Sequence, residues 1–135
     1  TKDKTAEFFE VCKSLADYVF LDCTSSLDDP LSVYGMAAAD KAVQLVTPDI
    51  RSAAYYASFE KTYEQIKGKS IGVINITDKD LYLPVGEVKA GFSNAKYILP
   101  YSMYLKQQYI TGELTQKIPD QKFSAVCRGI AGAVL

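Results

Sequence analysis

The stretch that decides the fold is Tyr18-Val19-Phe20-Leu21-Asp22, an apolar run that ends in a single carboxylate. A polar loop follows, then a helical segment, Leu31–Ala39, and a second apolar run, Lys41–Val46. A buried strand with an acid at its carboxyl end, followed by a crossover to another buried strand, is how open α/β sheets build a ligand crevice. The stretch therefore predicts part of a nucleotide-binding α/β domain, although no phosphate-binding loop precedes it.

The rest of the chain continues the alternation of helix and strand. Ser70–Ile76 is β-branched and apolar on both faces, as expected of a buried parallel strand. We predict further strands at Tyr18–Asp22, Lys41–Val46 and Lys96–Leu99. We predict helices at Thr5–Ala16, Leu31–Ala39, Asp49–Lys67, Val85–Phe92, Ser102–Ile110 and Asp120–Val134. This order predicts a single α/β domain over residues 1–135, with a parallel sheet of about four strands and helices on both faces.

Composition narrows the classes of function. The chain has 135 residues, is 48% hydrophobic and carries a net charge of −1, so it gives no electrostatic reason to expect nucleic-acid binding. It has no histidine, which excludes catalytic triads that need imidazole and most zinc sites. Cys12, Cys23 and Cys127 share no metal-type spacing and are interpreted as reduced thiols of a cytoplasmic protein.

Four segments, in order and spacing, resemble the MinD/ParA ATPases, which are P-loop NTPases of the SIMIBI class with a deviant Walker A loop. Ala16–Asp22 is similar to their "(Y/F)DYVIID" segment, and Ala38–Asp49 to their "AAD…TP(D/E)" segment. Gly72–Asn75 resembles the strand that ends in their base-contacting Asn. Ile98–Tyr101, with Leu105 and Gly112-Glu113, resembles their "IP(Y/x)…GE" pattern. The resemblance covers about Asp17–Leu114 and implies the carboxyl-terminal part of a doubly wound P-loop NTPase fold.

The resemblance implies a role for four residues. Asp22 takes the Walker B position, where it would hold Mg²⁺ through water, and is the catalytic and metal candidate. Asn75, Pro100 and Tyr101 would contact the adenine end of ATP. The alternative for Asp22 is a carboxylate that caps the next turn. The alternative for Asn75 and Asp78 is that they shape a turn after the strand, and a guanine-reading box is disfavoured because Ile76 stands where that box has Lys.

The chain departs from the family after Asp22. Family members continue with a Pro- and Gly-containing switch, whereas this chain reads Cys23-Thr24-Ser25-Ser26. A loop that contacts the γ-phosphate needs a Gly so that its backbone N–H can approach the phosphate closely. The absence of this Gly after Asp22 argues against ATP hydrolysis. Gly68-Lys69-Ser70 resembles the end of a Walker A loop, but Tyr63 stands where the first Gly should be and a strand follows instead of a helix.

The resemblance also implies cofactors and partners. ATP and Mg²⁺ would serve the parent protein, a homodimer that positions or assembles cell machinery for division, partition, pilus formation (a CpaE-like branch) or secretion with a protein partner. We expect the phosphate half upstream of Thr1, so this chain alone should neither hydrolyse ATP nor bind it tightly. The alternative is a pseudo-ATPase that acts as a scaffold. The segment Asp120–Leu135 is apolar and carries little positive charge. We expect it to pack in the core, and its association with a membrane is the weaker interpretation.

The absence of the phosphate-binding half of the domain has a consequence for the sheet. In the family the P-loop strand lies between the two strands that correspond to Tyr18–Asp22 and Lys41–Val46. We expect one of three outcomes: the two strands pair directly, a second copy fills the slot, or upstream residues fill it, since unpaired buried backbone is costly.

Overall fold

The computed structural model describes residues 2–26, 28–80 and 82–135. The described part of the chain forms an α/β structure with three strands, seven α-helices and one 3₁₀ turn at Lys67–Lys69. The strands are β1 (Ala42–Val46), β2 (Ser70–Asn75) and β3 (Ala95–Leu99). The helices are α1 (Lys2–Leu15), α2 (Pro30–Ala38), α3 (Ile50–Ser58), α4 (Glu60–Glu64), α5 (Val85–Gly91), α6 (Met103–Thr111) and α7 (Gln121–Val134).

The chain divides into two compact units, Thr1–Ala42 and Val43–Leu135. The first contains α1 and α2, which pack on each other. The second contains the sheet, except for Ala42 of β1, and helices α3 to α7. The prediction of a single domain over the whole chain stays a prediction.

Helix starts follow the capping residues in the sequence. Asp29 caps α2 by accepting a hydrogen bond of 2.9 Å from Ser32 N, with Pro30 at the first helical position. Asp49 caps α3 through Ser52 N, and Asp120 caps α7 through Phe123 N. Each of these helices begins within one residue of its predicted start, since the caps are local and need no distant partner.

The sheet is parallel and has the order β1-β2-β3. Between β2 and β3, Val73 pairs with Tyr97, Ile74 with Ile98 and Asn75 with Leu99, after an irregularity at Gly72. Parallel strands in chain order, each followed by a helix, are the arrangement that the alternating pattern predicts. The α/β class is therefore confirmed.

The two faces of the central strand are packed by different helices. On one face, Ile74 joins Val46, Val88 and Phe92 in the core, and the Tyr56 ring meets Phe92 edge-on at 4.7 Å between centroids. On the other face lie Val73 and its cross-strand partner Tyr97, whose hydroxyl bonds to α7. Both faces of β2 are thus covered, which explains its uninterrupted apolar sequence.

Two predicted elements are wrong. Tyr18–Asp22 forms no strand, so the sheet has three strands in the described residues and not about four. The segment has strand-forming residues, but no described residue pairs with it in a ladder, and a strand needs such a partner. The predicted helix Asp49–Lys67 is interrupted at Phe59. There the Ser58 hydroxyl donates to Ala54 O at 2.8 Å, a back-bond that often bends helices.

The longest helices, α1 and α7, have 14 residues each. Among the described residues, none of the helices has the length and apolar character needed to cross a bilayer.

Candidate functional site

Three of the four predicted site residues lie at the carboxyl end of the sheet. Asn75 is the last residue of β2, and it pairs in register with Leu99, the last residue of β3. Ile76 N donates to Leu99 O at 2.9 Å, so the two strand ends are level. Pro100 follows Leu99 directly, and Asn75 is half-buried. The parallel register therefore brings Asn75 beside the Pro100-Tyr101 turn.

The turn after β3 is short and well anchored. Pro100 has no N–H to continue the ladder and ends the strand. Tyr101 is half-buried, and its hydroxyl lies 3.6 Å from the sulfur of Met103. Ser102 is 5% exposed and is the residue before α6. The Tyr101 ring is thereby held at the strand end.

Ser102 is a polar residue of this edge that the sequence pattern did not single out. Its buried hydroxyl makes no hydrogen bond of good distance and angle with the described residues. The pKa of the nearby Asp120 carboxyl is lowered, first by the hydrogen bond from Phe123 N and to a smaller extent by the Ser102 hydroxyl. The one signal in the sequence that could have identified Ser102 is its position as a Ser at the start of a predicted helix.

The arrangement at the strand ends can recognise a planar heterocycle. An Asn side chain offers one amide donor and one carbonyl acceptor, which is the pair that matches an adenine edge. A tyrosine ring offers a stacking face for a base. In the described residues no side-chain hydrogen bond engages Asn75, so its donor and acceptor are available to a ligand.

Asp22 differs from the other three predicted residues. It lies in the first compact unit, in an exposed segment without strand structure, so it is not a strand-end acid. The described residues contain no group of three or more His, Cys, Asp or Glu side chains placed to hold a metal ion. The role of Asp22 in holding Mg²⁺ stays a prediction from the resemblance.

The polar residues near these segments have structural roles. Asp29 caps α2, and the hydrogen bonds from Ser32 lower the pKa of its carboxyl. Gly68-Lys69-Ser70 lies between a helix and β2, as expected of a sequence that is not a phosphate loop. The Ser70 hydroxyl accepts a hydrogen bond from Asn94 Nδ2 at 2.8 Å, so it is used inside the protein.

A separate apolar cavity of about 250 Å³ lies between α3 and α5. Glu87 contributes the one carboxylate among the lining residues, which otherwise are apolar or aromatic. Small-molecule sites occupy about 300–1,000 Å³, so this space is small for a ligand. It is better explained as incomplete packing beside the core residues Val88 and Phe92.

Comparisons of the chain with protein-family models, with curated proteins and with solved structures found no match. The functional interpretation therefore depends on the geometry of the strand ends and on the resemblance in sequence.

Proposed function

We propose that the chain is the base-binding part of a nucleotide-binding α/β domain of the MinD/ParA type. In this proposal the parent protein binds ATP and Mg²⁺, dimerises, and uses that cycle to position or assemble cell machinery in the cytoplasm. The chain itself supplies the adenine end of the site through Asn75, Pro100 and Tyr101.

One observation carries the proposal: the register that pairs Asn75 with Leu99 at the carboxyl ends of two adjacent parallel strands. Ligands of open α/β sheets bind outside the carboxyl ends of the strands. Asn75 and Tyr101 both lie at that edge, and both are half-buried, so neither side chain is part of the core. A base placed there would stack on Tyr101 and bond to the Asn75 amide.

The chain alone should bind a nucleoside weakly and should not hydrolyse ATP. The sequence has no glycine-rich phosphate loop, so the β- and γ-phosphates have no backbone cradle. A base contact without phosphate contacts supports a Kd in the millimolar range, about −4 kcal/mol.

The test is a titration of the isotope-labelled chain with adenosine, followed by two-dimensional NMR. We expect shifts at Asn75 and at Tyr101–Ser102, with weaker shifts for guanosine. Asn75→Ala should weaken binding about 5- to 10-fold, the effect of one lost hydrogen-bonding group. Gln107→Ala removes an exposed amide on α6 and is the matched control. Saturable shifts that are unchanged in Asn75→Ala would contradict the assigned site.

A second candidate function is a non-enzymatic scaffold that keeps the fold of an ATPase. The observation that favours it is the position of Asp22, which lies in an exposed segment without strand structure and is followed by residues lacking the family's Pro and Gly. The same titration separates the two candidates. Absence of any saturable shift with adenosine or ATP would support the scaffold and reject the base site.

A further inference from the structure

The hydroxyl of Tyr101 donates a hydrogen bond to the thioether of Met103. The phenol oxygen lies 3.6 Å from the sulfur, and Ser102 alone separates the two residues in the chain. Met103 is the first residue of α6, and Tyr101 belongs to the turn that follows β3. The contact is therefore local, and it lies beside the candidate base site, within the unit Val43–Leu135.

This hydrogen bond holds the Tyr101 ring only loosely. A thioether sulfur is a weak acceptor. Tyr101 is half-buried, so packing against the protein covers only part of its side chain. The strength of the acceptor on Met103 therefore decides how firmly the phenol is held at the edge of the sheet.

Met103 is also open to oxidants. The residue is 59% exposed, whereas Met36, the other methionine of the chain, is half-buried in α2. Oxidation of a methionine gives a polar sulfoxide, and reductases specific for each sulfoxide epimer reverse it. An oxidant in solution must reach the sulfur, so we expect Met103 to react before Met36.

Hydrogen peroxide converts the weak acceptor into a strong one. A lone pair of the Met103 sulfur attacks one oxygen of the peroxide, an S–O bond forms and the O–O bond breaks. The sulfur loses two electrons, and the second oxygen takes the proton of the first and leaves as water. In one of the two epimers the new oxygen is on the side of the sulfur that faces the phenol. The three rotatable bonds of the methionine side chain can then adjust the distance between the two oxygens to about 2.7 Å.

We propose that Met103 is a site of reversible oxidation, and that its sulfoxide oxygen accepts the hydrogen bond of the Tyr101 hydroxyl and holds the Tyr101 ring in place. The consequence for a nucleoside rests on the proposed function, in which a base stacks on this ring. A ring that is held before binding loses less freedom when the base arrives, so the oxidised chain binds adenosine more tightly.

The first test is the order in which the two methionines react. The full chain is treated with hydrogen peroxide and then with dithiothreitol, which returns sulfenic acids and disulfides to thiols, and its peptides are analysed by mass spectrometry. We expect the peptide that contains Met103 to gain an oxygen atom several times faster than the peptide that contains Met36. Equal rates would overturn the assignment of Met103 as the reactive site.

The second test measures the hydrogen bond without a ligand. Met36→Leu leaves Met103 as the one methionine, so peroxide gives a single sulfoxide. Tyr101→Phe in this background keeps the ring and removes the donor. In urea it should raise the equilibrium constant of unfolding about 2- to 10-fold more in the oxidised chain than in the reduced chain, the effect of one hydrogen bond. Peroxide-treated Met103→Leu is the control, in which Tyr101→Phe should act as it does without peroxide. An equal effect of Tyr101→Phe before and after oxidation of Met103 would overturn the proposal.

Adenosine binding tests the consequence for the base site. Titration of the Met36→Leu chain, followed by NMR, should give a Kd about 2- to 5-fold lower after oxidation, and Tyr101→Phe should remove this difference. Methionine sulfoxide reductase with dithiothreitol should return the Kd to that of the reduced chain. Equal binding by the two forms would overturn the link between Met103 and the base site. If neither form binds adenosine while Tyr101→Phe still distinguishes them in urea, the proposed function fails and the oxidation site stands.

Discussion

The side-chain amide of Asn94 donates a hydrogen bond of 2.8 Å to the hydroxyl of Ser70, the first residue of β2. The same amide lies 3.2 Å from Ser70 O and 3.4 Å from Gln44 Oε1 in β1. Asn94 itself precedes β3. One side chain therefore contacts the amino end of β2 and the middle of β1 from the residue that precedes β3, while Asn75 stands at the opposite end of β2. Asn94 therefore supports the sheet at the end opposite to Asn75.

Removing the Asn94 amide should destabilise the protein. Asn94→Ala leaves the buried Ser70 hydroxyl without this donor, which should lower the free energy of unfolding by about 1–3 kcal/mol. Asn75→Ala removes an amide that has no partner among the described residues and should change the free energy of unfolding by less than about 0.5 kcal/mol. Urea denaturation measures both. Equal losses would mean that Asn75 also supports the fold, and would weaken its assignment to a ligand.

Gly72 should not tolerate a side chain. A Cβ at Gly72 would lie 2.6 Å from Asn94 O and 2.7 Å from the Phe92 ring. The first of these atoms belongs to the backbone and cannot turn away, so Gly72→Ala should cost about 1–3 kcal/mol or more. The measurement is the free energy of unfolding in urea.

Gly86→Ala is the control for this prediction. A Cβ at Gly86 has no heavy atom within 4 Å among the described residues, and the position lies in α5. Alanine favours helix over glycine, so stability should stay the same or rise by up to about 1 kcal/mol. A similar loss in both variants would show that the contact at Gly72 is not the cause.

Much of the fold could be predicted from sequence because its signals are local. The Asp29-Pro30 and Asp49 starts, the positive φ of Gly112 after α6 and the apolar run of β2 depend on neighbours within a few residues. The adjacency of Asn75 and Pro100 also follows from chain order, since sequential parallel strands end at the same edge. The choice of Asn75, Pro100 and Tyr101 as a base site came from the resemblance, and chain order predicts only that Asn75 and Pro100 lie at the same edge of the sheet.

The features that could not be predicted from the sequence depend on contacts between residues far apart in the chain. Tyr18–Asp22 has the composition of a strand, but composition does not supply the neighbouring strand that a ladder requires. The role of Asn94 depends on Ser70 and Gln44, which are 24 and 50 residues away. A lone Asn before a strand looks like a turn residue, and its buried partners cannot be read from the sequence.

The helix caps should make stability fall in acid. The Thr47 hydroxyl donates to the Asp49 carboxylate, and this bond, followed by the one from Ser52 N, lowers the pKa of Asp49 from 3.8. A carboxyl whose pKa is lower in the folded state contributes stability that is complete above 3.8. That contribution disappears as pH falls through the folded-state pKa.

Asp49→Asn tests this pH dependence. Asparagine still caps a helix but does not titrate near this pH, so the melting temperature of the variant should fall less between neutral pH and acid. Asp40→Asn changes an exposed carboxylate in the loop before β1 and should keep the acid response of the parent chain. An equal fall in melting temperature between neutral pH and acid for Asp49→Asn and the parent chain would refute the contribution of this cap.

The phenol of Tyr97 links β3 to α7. Tyr97 donates a hydrogen bond of 2.9 Å from its hydroxyl to Gly129 O, and its ring lies 3.0 Å from the Cβ position on Gly129. Tyr97→Phe keeps the ring against the helix and removes only the donor, so it should cost about 0.5–1.5 kcal/mol. Tyr104→Phe, at a 47% exposed position, is the control and should have almost no effect.

Hydrogen exchange of α7 separates this local contact from a general loss of stability. If the Tyr97 hydroxyl holds α7 against the sheet, the amides of α7 should exchange faster in Tyr97→Phe, and those of β2 should change less. Gly129→Ala should also speed exchange of the α7 amides, since the added methyl group presses on the Tyr97 ring. Gly132→Ala is its control. The methyl group there meets no described atom within 4 Å, so this variant should stabilise the helix. Equal acceleration of exchange in α7 and β2 would instead mean that α7 and the sheet unfold together, and that the phenol contributes to the whole unit and not to one contact.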